Sequence, residues 1–259
     1  MSKTHAKRIG ARLVTNGQAI LDAKAAFVEF TDDRAANELI NDLKGHPHAY
    51  VIACILDRQM KAERVWKIPY LLGQRLGTFE FDDLRRLRES TIHRAMTKPE
   101  SLHRFHKGMS HNLKLALDRI HRDYGGDAGK IWADRPSSAT VIFRFLQFRG
   151  VGQKIATMAA NILARDFKVP MSDHYSIDVS VDVQVRRVMT RLGLTEKGAS
   201  AEQIIYRARS VNPEFPGIID HALWEIGRTW CRPKRPECGG CDMRRLCPSA
   251  QSAASPRGT

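Results

Sequence analysis

Residues 145–163 read FLQFRGVGQKIATMAANIL. Apolar side chains recur at helical spacing on both sides of Gly150-Val151-Gly152, which predicts two helices joined by a hairpin. The turn is too tight for anything but glycine-rich backbone, and Gly150 and Gly152 can both take positive φ. The first amides of a helix have no intrahelical acceptor, so the second helix offers an anion site at its start. The natural anion is a DNA phosphate, held without reference to base sequence. Glycine pairs between helices are also ordinary caps, so the hairpin gains meaning only from what surrounds it.

Working outward, the pattern stays helical. Segments 36–45, 81–90, 110–126, 136–150, 153–167, 180–194, 201–211 and 217–231 each carry apolar residues at helical spacing, several closed by glycine. Residues 47–77 start at a proline and predict one or two helices ending at Gly77. Alternation competes only in KVPMSDHYSIDVSV (168–181), the longest irregular link. The tail 248–259, small and polar, is expected to be disordered. The expected fold class is all-α, with about nine or ten helices.

The chain has 259 residues and carries 42 Lys+Arg against 28 Asp+Glu, a formal charge of +14. That excess points to a polyanion partner, nucleic acid above a membrane surface. No apolar run is long enough to span a bilayer, and the basic start MSKTHAKRIGARL lacks a secretory core. A cytoplasmic protein is expected. In that setting five cysteines argue for metal rather than disulfides. Cys54, inside AYVIACIL, is expected to be a small buried hydrophobe.

The other four stand in CRPKRPECGGCDMRRLC (231–247), spaced C-x6-C-x2-C-x5-C as Cys231, Cys238, Cys241 and Cys247. Four thiolates can hold zinc or a [4Fe–4S] cluster. Zinc sites usually pair two C-x2-C knuckles, and here there is one. Spacing alone leaves both open, with a slight lean to iron–sulfur. Arg232, Lys234 and Arg235 lie between the first two cysteines.

A G-V-G-x-K hairpin followed by this cysteine spacing resembles the endonuclease III family of DNA glycosylases, in the helix–hairpin–helix superfamily. The resemblance covers roughly residues 47–247. PHAYVIACILDRQ (47–59) is similar to the family's first long helix, VDVQVRRV (181–188) to its V-D-x-x-V-x-R-V segment, and HALWEIGRTWC (221–231) to the helix entering the cluster. It implies two all-α lobes with DNA bound across the cleft between them. One is a helical barrel over 47–168 containing the hairpin (about 136–165). The other combines 1–46 with 169–247 and a [4Fe–4S] cofactor on the four cysteines.

It also implies chemistry. The partner is double-stranded DNA with a damaged or modified base, bound by a monomer in base excision repair. The base must leave the stack before it can be excised. Lys154 takes the position of a nucleophile that attacks C1′ and forms a Schiff base, permitting β-elimination. It must be neutral to attack, so burial or nearby positive charge is expected around it. Asp182 takes the position of the essential carboxylate, which stabilises oxocarbenium charge and helps transfer protons. Asp is also a good helix N-cap, and both roles can hold together. Asp178 is a weaker competitor. Gln59 takes the position that fills the gap left by the flipped base. Gly150, Gly152, Arg232, Lys234 and Arg235 would hold phosphate. The implied activity is a DNA glycosylase with abasic-site lyase activity, oxidised pyrimidines being the expected substrate class.

The sequence departs from the family in four places. Asp57 and Arg58 stand where the family more often has small or amide residues. The link 168–178 is long, and its His174 and Tyr175 could contact a flipped base. The lead-in of 46 residues is long too. Cys54 stands where adenine-mismatch glycosylases need a glutamate, and these usually lack the hairpin lysine and carry a further recognition domain. The rivals left open are a monofunctional glycosylase for another modified base, and a non-catalytic DNA-binding protein with a structural metal loop.

Overall fold

A computed structural model describes residues 2–24 and 27–254, with side chains to 251. Among the described residues there are helices, 3-10 turns and no strand, so the all-α expectation holds. The chain forms two compact units. One contains residues 1–24, 137–139 and 160–259; the other contains 25–136 and 140–159. Where the sequence suggests divisions near 46 and 168, the units divide after 24 and within the helix that follows the hairpin.

The second unit is built around α3 (Pro47–Leu56), whose ten residues are all buried. A helix apolar on every side has no solvent face and becomes the centre of its unit. Helix α2 (Arg34–Asn41) packs beside it, started by Asp33, whose side chain accepts from Ala36 N. The predicted 47–77 element is three helices: α3, α4 (Ala62–Trp66) and α5 (Ile68–Leu76). The polar residues Asp57, Arg58 and Gln59 end α3, Pro69 stands at the start of α5, and Gly77 closes it at φ +75°.

The predicted 81–90 element is α6 (Phe81–Arg86) followed by α7 (Glu89–Thr97). Helix α8 (His106–Tyr124) ends at left-handed Gly125. Ile52, Leu56, Leu72, Ile92, Met96, Leu113 and Leu117 fill the core between these helices. The hairpin helices are α9 (Ser138–Leu146) and α10 (Gln153–Arg165). Tyr50 on α3 donates to Ala159 O on α10 at 2.7 Å, a buried bond inside this unit.

The first unit opens with a helix that the sequence did not single out, α1 (Lys3–Asp22). It packs against α12 (Ala201–Val211), the 3-10 turn 216–219 and α13 (Asp220–Thr229). Lys168 caps it, donating to Ile20 O at 2.9 Å and Leu21 O at 2.7 Å, as a cation suits a helix C-terminus. Helix α11 (Val183–Arg191) crosses α13 closely: a Cβ on Gly227 would lie 2.7 Å from Gln184 Cβ. Residues 248–254, expected to be disordered, form α14 (Pro248–Ala254), with Ala250 buried. Residues 255–259 lie outside the described residues.

Gly17 marks the tightest seam. A Cβ there would stand 2.0 Å from the Ile218 carbonyl oxygen, a backbone atom that cannot swing aside. Gly17→Ala is expected to destabilise the protein by about 3 kcal/mol, the overpacking range. Thermal melting measures it, and an unchanged melting temperature would contradict this packing.

Candidate nucleic-acid interface and catalytic residues

The hairpin is built from turn-type bonds: Val151 N donates to Phe148 O, and Ile155 N and Ala156 N donate to Gly152 O, each at 3.0 Å. Gly150 sits at φ +86°. A Cβ there would meet Asn112 Nδ2 at 2.6 Å and Arg58 Nη1 at 3.1 Å, so both conformation and space require glycine. Gly152 is different. It is absent from the positive-φ glycines, and its Cβ direction is open. Of the two glycines that can take positive φ, only Gly150 uses that freedom. The Gly152 carbonyl starts α10, so Gly152 serves as the helix N-cap, a position glycine tolerates well.

Lys154 stands exposed in the first turn of α10. Its Nζ lies 3.2 Å from Asp57 Oδ2, with the lysine side chain 42% exposed and the aspartate 11%. The expected surroundings of burial or positive charge are thus replaced by a carboxylate. Asp57 is the C-cap of α3, and Arg58 and Gln59 follow it onto the surface. Gln59 adopts φ +50°, a left-handed conformation that an L residue rarely takes. Arg104 Nη1 reaches its carbonyl at 3.5 Å. In this unit the structure brings Gln59, Gly150 and Lys154 to one neighbourhood, through Arg58 at Gly150 and Asp57 at Lys154.

Asp182 lies in the other unit, as the N-cap of α11. One carboxylate oxygen, Oδ1, accepts from both Gln184 N and Val185 N at 2.8 Å. The cap uses that oxygen and leaves Oδ2 outside it. Asp178 is resolved as structural: its carboxylate is 3% exposed and takes two bonds from Arg209, at 2.8 and 2.9 Å. Two residues on, Ser180 N donates to Asp220 Oδ1 at 2.7 Å. The segment carrying Asp182 is therefore tied down on both sides. Sequence reasoning missed Asp220 and Arg209, because an acidic residue opening a helix and a basic one closing another look like ordinary dipole partners. His174 stacks on Phe215, with ring centroids 4.6 Å apart, so it is packed rather than offered to a base. Tyr175 is exposed.

The four cysteines of 231–247 line one cavity of about 30 Å³. Its other walls are mostly apolar, among them Val188, Leu192, Ile226, Trp230 and Met243, joined by Arg191 and Arg244. Among the described residues no three His, Cys, Asp or Glu side chains converge on a point as a single ion requires. Four thiols around one cavity are a donor set that can hold zinc or an iron–sulfur cluster. Burial pushes the Cys241 and Cys247 thiols up, with neighbouring cysteines adding to the effect.

The loop itself is held by α11. Arg187 Nε donates to Cys231 O at 2.6 Å, and Arg191 donates to Arg232 O and Pro233 O, both at 2.7 Å. Helix α1 reaches it as well, through His5 to Leu246 O at 2.8 Å and Asn16 to Asp242 at 2.6 Å. Arg232, Lys234 and Arg235 all stand on the surface, Arg232 paired with Glu237 at 3.0 Å.

Comparison with known proteins gives a consistent outcome. No family model matches the chain. The chain is similar to endonuclease III of Synechocystis, at 26% identity over 80% of this chain and 83% of that protein. It is similar to chloroplastic endonuclease III homolog 2 of Arabidopsis thaliana, at 30% identity over 56% of this chain and 35% of that protein. In fold it resembles a trapped endonuclease III–DNA covalent intermediate with a TM-score of 0.64 and 19% identity, covering 98% of this chain and 100% of that one.

Asp220 makes the anchoring of the 178–182 segment testable. Burial pushes its carboxyl up to about 6, against the pull of the Ser180 bond and Arg165. The native state then binds more protons than the unfolded chain between about pH 4 and 6, so stability falls as pH rises through that window. Up to roughly 3 kcal/mol is expected to be lost there. Denaturant titrations at successive pH values should show this slope in wild type and its absence in Asp220→Asn. Equal slopes would refute the assignment.

Proposed function

We propose that this chain, endonuclease III-like in sequence and in fold, is a base-excision DNA glycosylase that also cleaves the abasic site it creates. The carrying observation is Lys154: an exposed amine in the first turn after a glycine hairpin, within reach of a carboxylate. Oxidised pyrimidines are the proposed substrate class.

The residues divide the work. Gly152 and the first amides of α10 hold a phosphate of the damaged strand. Gln59, projected from a left-handed turn, fills the gap once the base has flipped. Nζ of Lys154 attacks C1′ as the base departs, and the resulting Schiff base allows elimination of the 3′ phosphate. Asp182, with Oδ2 outside its helix cap, is the carboxylate proposed to stabilise the positive charge that develops on the sugar and to assist proton transfer. Arg232, Lys234 and Arg235 add phosphate contacts that are independent of sequence. Double-stranded DNA is the proposed partner of the +14 surface.

Cys231, Cys238, Cys241 and Cys247 are the proposed ligands of a [4Fe–4S] cluster. With its iron sites taken by four thiolates, the group supplies a fixed loop shape rather than chemistry on the base. The donor set of four thiols in a mostly apolar cavity supports this. Purified protein is expected to be brown, with about four irons per chain. Colourless protein with stoichiometric zinc would overturn the cofactor.

The activity is tested with a duplex containing one oxidised pyrimidine and with an abasic-site duplex plus borohydride. Wild type is expected to release the base, nick the strand and form a covalent adduct. Lys154→Gln is expected to lose the adduct by at least about 1,000-fold while still binding DNA. Adduct formation by Lys154→Gln at the wild-type rate would contradict the nucleophile, and intact oxidised-pyrimidine duplex would contradict the substrate class.

A further inference from the structure

An amine nucleophile must lose a proton, and the structure supplies a base for it. We propose that Asp57 is a catalytic residue: it accepts the proton of Lys154 before the amine attacks the sugar. The inference rests on Lys154 being the nucleophile.

Three observations carry it. The separation of 3.2 Å between Nζ and Asp57 Oδ2 lies at the reach of a general base. Asp57 is largely withdrawn from solvent, 11% exposed against 42% for the lysine, so the pair is more than two surface charges drifting together. And Asp57 caps the C-terminal end of α3, where the helix dipole is negative and gives a carboxylate no support. Local helix electrostatics do not account for an aspartate there; the lysine facing it does.

The surrounding groups leave this role to Asp57. Cys54 and Tyr50 lie beneath it on α3, and burial raises the Cys54 thiol far above its ordinary range, so it keeps its proton. Arg58 points to the hairpin at Gly150. Arg104 reaches the Gln59 carbonyl, and His103, lowered by burial, binds Leu56 O. None of these is an anionic acceptor. Asp182 keeps its work on the sugar.

The step balances. The ammonium proton of Lys154 passes to Oδ2 of Asp57, leaving a neutral amine and a carboxylic acid. On an abasic site, Nζ bonds to the aldehyde carbon C1′; the oxygen takes one proton from Nζ and the one held by Asp57 and leaves as water, so that an iminium ion and the Asp57 carboxylate remain. The hydride of borohydride then reduces that ion to a stable secondary amine.

The test measures single-turnover borohydride trapping on abasic-site duplex across pH, using the full chain with its native metal content. Wild type should trap readily near neutral pH. Asp57→Asn should trap about 100-fold more slowly there, with the deficit narrowing as pH rises and hydroxide takes over the proton. Formate should restore part of the rate to Asp57→Ala by occupying the vacated acceptor position. That comparison is made within one variant and is independent of any change in folding. Trapping by Asp57→Asn as fast as wild type, with an unchanged pH profile, would overturn the proposal and leave a plain ion pair. A deficit that neither high pH nor formate relieves overturns it too, marking a structural role. Absence of an adduct in wild type itself would sink the nucleophile, and the base with it.

Discussion

The ten buried residues of α3 are the constraint on which the candidate site of the second unit depends. Such a helix cannot rotate or slide without exposing apolar surface at about 25 cal/mol per Å². Its end is therefore fixed in space, and the next three residues are placed as a set, Asp57 half-buried and Arg58 and Gln59 on the surface. Each then meets something specific: Asp57 meets Lys154, Arg58 stands at Gly150, and Gln59 turns left-handed under Arg104. The hairpin is placed by the same helix, since Tyr50 on α3 holds Ala159 on α10.

In the first unit the corresponding constraint is polar. The segment 177–182 has no helix or ladder to satisfy its backbone, so side chains must hold it. Arg209 clamps Asp178, Asp220 takes Ser180 N, and Gly217 N donates to Ile177 O at 2.7 Å. Asp182 emerges from this framework with one oxygen already spent on two amides of α11. A carboxylate so held cannot wander, and this preorganisation suits electrostatic work on a developing charge.

Much of this was legible in the sequence, for particular reasons. The hairpin, the α11 cap and the four-cysteine loop are local patterns, and local spacing determines them. The rest depends on contacts between residues far apart in the chain. Nothing near Asp57 in the sequence indicates Lys154, and nothing near Asp220 indicates Ser180. Gly152 looks the same as Gly150 in a G-V-G turn, yet only Gly150 meets Asn112 and Arg58 and needs positive φ. The N-terminal helix was missed because its apolar residues are few; tertiary partners such as Lys168 and Ile218, rather than propensity, secure it. The tail was expected to be disordered on composition, but Ser249 donates to Arg191 O and Ala250 enters the cysteine cavity.

The central claim is that a single amine, on the helix after the hairpin, forms the covalent bond to DNA. Peptide mapping of the borohydride-reduced adduct tests it most directly, because it locates the bond instead of inferring it from lost activity. The account predicts one modified peptide, carrying the sugar remnant on Lys154. A remnant on another lysine or on the N-terminal amine would contradict it.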